Sequence, residues 1–314
     1  MRRLREQLLQ MLSGAPDGVP DWVMALAEGD DEGYFGPESA VWVVHGGIPV
    51  LIAGMRALLM QTLHPGAMAG VHDWSRYRED PLGRLSGTVR WVLTTSFGDR
   101  AEAEQACGFV GRLHTRVQGN YERAGETHEY SAADPALLSW VHVAFADSFL
   151  RCHQTWGKPI PGGADAYVRE WAAAGELMGV HNPPKSEVEL RDQLAAFGPE
   201  LQAGERVRDA VRFIRKPPLR SSDGGVPPVG SSNGGPSNDG GRLTRMGYSI
   251  VFAGAIATIP PEYRRMLGVR RAWWPAITVT GWLLVLLGRL LGRPSTSEKY
   301  ATRRVAALRA HPVE

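Results

Sequence analysis

Residues 37–65, PESAVWVVHGGIPVLIAGMRALLMQTLHP, constrain the fold most, because their apolar side chains fall on every side of a helical wheel instead of along one stripe. A helix that is apolar all round has to be buried all round. Pro37-Glu38-Ser39 reads as its start, and Pro65, just after Leu63, as its stop. Other helices are needed to cover it, and the sequence supplies them. AEAEQACGFVGRLHTRVQG sets Ala106, Val110, Leu113 and Val117 on one stripe, with His114 beside them and Gly119 as a C-terminal stop. SAADPALLSWVHVAFADSFLRCHQTWG opens with Asp134 as N-cap and Pro135 at the first helical position, and ends at Gly157. Its Leu138, Val141, His142, Phe145 and Phe149 share a face. DAYVREWAAAGELMGV and SEVELRDQLAAFGPEL read as two more helices, the second opened by the capping box Ser186-x-x-Glu189. MRRLREQLLQML makes a short amphipathic helix on Leu4, Leu8, Leu9 and Leu12. Alternating strand patterns are scarce, so the expected fold is all-α.

The 35 basic and 33 acidic residues nearly cancel, which leaves no footprint for nucleic acid. Two cysteines, Cys107 and Cys152, make no disulfide framework and fit a reducing compartment as small buried residues. The N-terminal segment is broken by Arg5, Glu6 and Gln7, so export is not indicated and a cytoplasmic setting is expected. The chain divides into an N-terminal helical extension over 1–34, a single large helical domain over 35–290 and a tail over 291–314. Within the domain, 217–241 is PPLRSSDGGVPPVGSSNGGPSNDGG, a composition that cannot offset its ordering entropy and reads as a disordered inserted loop. The apolar helix that follows, RMGYSIVFAGAIATI, needs a body to pack on.

The segment 272–288, AWWPAITVTGWLLVLLG, is uncharged and bracketed by Arg270, Arg271, Arg289 and Arg293. It falls short of the roughly 20 apolar residues that a membrane span needs. Two readings stay open: a segment lying on the inner face of a membrane, with tryptophans at headgroup level and arginines toward anionic lipid, or a core helix of the domain.

His45, His64, His114 and His142 all lie in or at the ends of apolar helices. No zinc spacing, Walker loop, dinucleotide-binding glycine pattern or Gly-x-Ser-x-Gly elbow accompanies them. Alone, each reads more readily as a hydrogen-bonded core residue than as a ligand.

Five segments taken in order carry more. LLMQTLHPGAMAGV (58–71), DPLGRLSGTVRWVLTTSFG (80–98), RLHTRVQG (112–119), YSAADPALLSWVHVAFADSFL (130–150) and PPEYRRMLG (260–268) together resemble the oxygenase family that groups latex clearing protein, a rubber oxygenase, with the fungal enzyme MpaB. The resemblance implies a globin-like helical core that holds heme b, with dioxygen as co-substrate and a small hydrophobic substrate, isoprenoid or otherwise unsaturated, cleaved oxidatively. It matches the proximal iron ligand to His114, with His142 as the rival cofactor-binding residue. Arg84 and Thr88 match the distal side, and His64 is the nearest candidate for a distal ligand or base. Gly87 stands next to Thr88, in a region where rubber oxygenases carry a lysine. The competing class is a non-catalytic heme- or lipid-binding helical protein at the membrane surface.

Overall fold

The apolar run that dominates the sequence does not form one helix. In the computed structural model, which describes residues 19–74, 81–123, 125–215, 238–269, 275–291 and 295–310, it divides at Gly46-Gly47-Ile48-Pro49 into α2 (Ala40–Gly46) and α3 (Val50–Gln61), whose axes meet at 92°. A short helix, α1 (Asp21–Ala25), precedes them. Ser39 caps α2 by accepting from the Trp42 N–H at 3.2 Å. Gly47 is extended, at φ −76 and ψ 148, and so ends the helix ahead of Pro49. Pro65 likewise starts a helix, α4 (Pro65–Trp74), instead of merely stopping one. Its fixed φ suits a first helical position.

The next helices are α5 (Pro81–Phe97) and α6 (Arg100–His114), joined through Gly98 and Asp99. Asp99 caps α6 by accepting from the Glu102 N–H at 2.7 Å, and the short connection makes the two helices antiparallel neighbours. The expected extension of α6 to Gly119 is overturned. The helix stops at His114, and an antiparallel hairpin follows, β1 (Gln118–Arg123) with β2 (Glu126–Ser131), paired from Gln118↔Ser131 to Arg123↔Glu126. Gly119 serves that hairpin: a Cβ there would lie 2.8 Å from the Tyr130 hydroxyl. The hairpin leans on α4, to whose Asp73 the Tyr130 hydroxyl donates at 2.9 Å.

Helix α7 (Pro135–Trp156) runs as expected, with Asp134 accepting from the Ala136 N–H at 2.7 Å and Gly157 at its C-cap. It is not one-sided, however: every residue from His142 to Leu150 is buried, whereas Val141 is exposed. The cause is cover from α3, α8 (Gly163–Leu177), α9 (Glu187–Ala196) and α11 (Asn238–Thr258), all of which pack on it. The Ser186 hydroxyl accepts from the Glu189 N–H as a capping box requires, but the Glu189 carboxylate returns to the Lys185 N–H, one residue earlier. A 3₁₀ turn (Gly198–Glu200), α10 (Glu205–Arg215), α12 (Pro261–Met266), α13 (Ala276–Leu291) and α14 (Thr296–Ala310) complete the chain.

The core is one continuous cluster centred on α3 and α7, where Ile52, Leu59, Met60, Trp140, Val143 and Leu150 are sealed from water. Burying each such side chain contributes about 1.5–3 kcal/mol. Helix α14 closes the fold: buried Arg304 donates to the carbonyls of Leu26 and Phe97, tying the N-terminal segment to α5. The protein is an all-α single domain, its described residues holding one two-stranded hairpin. The amphipathic N-terminal helix and residues 216–237 of the expected disordered loop lie outside the described residues, while 238–241 belong to α11.

Candidate active site

The interior histidines are occupied. The Ser96 hydroxyl gives its hydrogen to the Val92 carbonyl at 2.7 Å, so at 2.6 Å from His45 Nδ1 it accepts the ring N–H. His45 Nε2 therefore keeps a lone pair and accepts from the Tyr167 hydroxyl at 3.1 Å. Burial, with His153 nearby, pushes His45 down to about 3, so it stays neutral. His142, pushed down to about 4 by burial, lies hard against α8, where a Cβ on Gly175 would be 2.8 Å from its Cε1.

His64 precedes Pro65, and its Nδ1 accepts from the Ala67 N–H at 3.4 Å, which caps α4. Its Nε2 then carries the hydrogen and donates to Glu200 at 3.2 Å. Both ring nitrogens of His64 are thus at hydrogen-bond distance of partners. Sequence reasoning also passed over the ion pair of Arg56 with Asp147, 2.7 Å apart and both buried, in which Arg56 also donates to Ser148. A charged residue in the middle of each of two apolar helices was the available signal.

The seam between α5 and α6 is different. Thr95 and Cys107 meet across it at 3.7 Å. Seven residues make almost two full turns, so Thr88, seven before Thr95, and His114, seven after Cys107, fall on the same faces of their helices as this contact. The side chain of Arg84, one turn before Thr88, lies outside the described residues. His114 is half-buried, and the apolar stripe expected around it is not the packed one. Ala103 and Cys107 face the core instead, leaving Phe109 56% and Leu113 44% exposed. Val89, next to Thr88, is 40% exposed, and a Cβ on Gly87 or Gly111 would meet open space. The last turns of α6 thus carry a half-buried imidazole beside exposed apolar side chains.

A second apolar surface lies between α11 and α13. Two adjoining hollows of about 210 and 380 Å³ share Ile250 and Val279 and run from Met246 to Arg289. Beside them Trp282 is 73%, Leu286 53% and Val285 48% exposed, whereas Ala276, Thr280 and Leu284 pack inward. Helix α13 is thus partly core and partly open. No single helix among the described residues is long and apolar enough to cross a membrane.

Among the described residues no group of three or more histidine, cysteine, aspartate or glutamate side chains is placed to hold a metal ion. No curated protein and no solved structure matches the chain. A family model does, over residues 42–292, a span that contains α3 to α13 and with them the α5–α6 seam. The chain belongs to the family described as ER-bound oxygenase mpaB/B'/rubber oxygenase, catalytic domain.

Proposed function

We propose that the protein is a heme b-dependent oxygenase that cleaves a carbon–carbon double bond of a small hydrophobic, isoprenoid-like substrate at a membrane surface. The observation that supports this reading is exposure: His114 is half-buried at the end of α6, with Phe109 and Leu113 exposed on the same helix, whereas His45 and His142 are sealed in the core. A porphyrin supplies four donors of its own, so one imidazole suffices to hold its iron, and the apolar face of Phe109 and Leu113 suits the macrocycle. Bound there, heme would supply a ferrous centre that activates dioxygen. His114 would hold it through its imidazole. Thr88 and, by the family resemblance, Arg84 would serve as hydrogen-bond donors toward a polar diatomic ligand. Open space at Gly87, beside Thr88, leaves room for an apolar chain next to them.

Cleavage of one double bond by one dioxygen yields two carbonyls and consumes no outside reductant. The stretch 240–297 supports access to lipid-dissolved substrate: it holds eight arginines, no lysine and a single acidic residue, Glu262, and it displays Trp282, Val285 and Leu286. Basic charge with exposed indole and aliphatic groups suits an anionic bilayer surface. Oxygen uptake with an emulsified linear isoprenoid tests the activity. One carbonyl pair should form per dioxygen consumed, and the saturated analogue should give none. Uptake without carbonyl products, or equal uptake with the saturated chain, overturns the cleavage reading.

A further inference from the structure

His45, Tyr167, Trp171 and Trp91 come from α2, α8 and α5 and form one aromatic row. Ring centroids lie 6.1 Å apart from Trp91 to Trp171, 4.5 Å from Trp171 to His45 and 5.7 Å from His45 to Tyr167. Phe145 stacks on Trp171 at 5.4 Å and closes the row from the α7 side. Trp91 is half-buried and sits one turn beyond Thr88, whereas Trp171 and Tyr167 are sealed in the core. The row therefore runs from the α5–α6 seam into the dry interior, where it ends on a phenol.

The hydrogen bonds at that end have a fixed sense. His45 Nδ1–H is committed to Ser96, so its Nε2 lone pair is the acceptor for the Tyr167 hydroxyl. A phenol that loses an electron becomes a strong acid, and here the base already faces the proton. We propose that Trp91, Trp171 and Tyr167 form an internal electron-donating route in which His45 takes the Tyr167 proton. A one-electron oxidant at the seam removes an electron from Trp91, and the vacancy passes to Trp171. Tyr167 then gives one electron to the Trp171 indole and its phenolic proton to His45 Nε2, leaving a neutral phenoxyl and an imidazolium. One returning electron reverses both transfers. Asp147, which acts on Tyr167 and is itself paired with Arg56, is the nearby negative group, and His153 the nearby basic one. In an oxygen-activating protein such a route drains stray oxidising equivalents away from the substrate face. That use rests on the oxygenase reading; the route does not.

Flash photo-oxidation of the purified protein with a ruthenium tris-bipyridine sensitiser and an electron-accepting quencher, followed by freeze-trapping and electron paramagnetic resonance, tests it whether or not heme is present. The expected result is a phenoxyl signal that is missing from Tyr167→Phe, a variant that deletes one oxygen atom. Its yield should fall several-fold in Trp171→Phe, and in His45→Phe a tryptophanyl signal should replace it. In wild type, proton double resonance on the phenoxyl should find one hydrogen-bonded imidazolium N–H, a readout that needs no variant to fold. The same phenoxyl in Tyr167→Phe, or a phenoxyl with no such coupled proton, overturns the proposal.

Discussion

The interior around α7 and the seam between α5 and α6 differ in how far they shut out water. Inside, His45, Arg56 and Asp147 have partners at hydrogen-bond distance, and His142 is wedged against α8. At the seam, Thr88 and His114 lie among exposed Val89, Phe109 and Leu113, with empty space at Gly87 and Gly111. A histidine in a core is satisfied by the fold itself. His114, at the end of α6, is instead half-buried beside exposed apolar side chains, and this difference in exposure is why the proposed site is placed there.

Substitutions can break that contrast. The largest effect is expected from Arg56→Leu, which strands Asp147 in the core; losing one partner of a buried pair costs about 3–5 kcal/mol, read as a lowered urea midpoint. Acid should come next. His45 and His142 titrate in the folded protein at about 3 and about 4, below the 6.5 of the unfolded chain. The unfolded state therefore binds more protons as pH drops below 6.5, and stability present above that value is lost progressively down to about 4 for His142 and about 3 for His45. Urea midpoints at successive pH values should fall on acidification, and His142→Gln should flatten the slope; an unchanged slope contradicts the assignment. Gly175→Ala pushes a methyl into the His142 ring and should cost about 1–3 kcal/mol. The matching change at the seam, Gly111→Ala, meets nothing and should stabilise by up to about 1 kcal/mol through helix propensity. Equal costs for the two alanines would erase the difference between core and seam.

The caps of two helices were read correctly, while Gly119 and Pro65 were not. Asp134-Pro135 and Gly157 bound α7 because a cap acts within its own turn, and Ser186 opens α9 for the same reason. The bend at residues 46–49 was written as Gly-Gly-x-Pro, yet the apolar side chains around it outweighed the breaker, since both arms are buried and periodicity does not tell one helix from two. The hairpin was hidden because its strands, QGNYER and ETHEYS, carry almost no apolar alternation. Its burial comes from α4, a partner remote in sequence. At the proposed site, His114 and Thr88 were picked out by motif order alone, but the face of α6 that packs was misassigned. That choice depends on where α5 lies, which 3.6-residue spacing does not encode. The His45–Ser96–Tyr167 cluster joins three helices and has no local pattern at all.

The central claim is that the half-open imidazole at the end of α6, and not the buried ones, holds heme. The most direct test is the visible absorption spectrum of the purified protein after hemin addition, for wild type, His114→Ala and His142→Gln. The account predicts a Soret band in wild type and in His142→Gln that is lost or strongly shifted in His114→Ala. A band unchanged in His114→Ala, or absent from wild type, would contradict it.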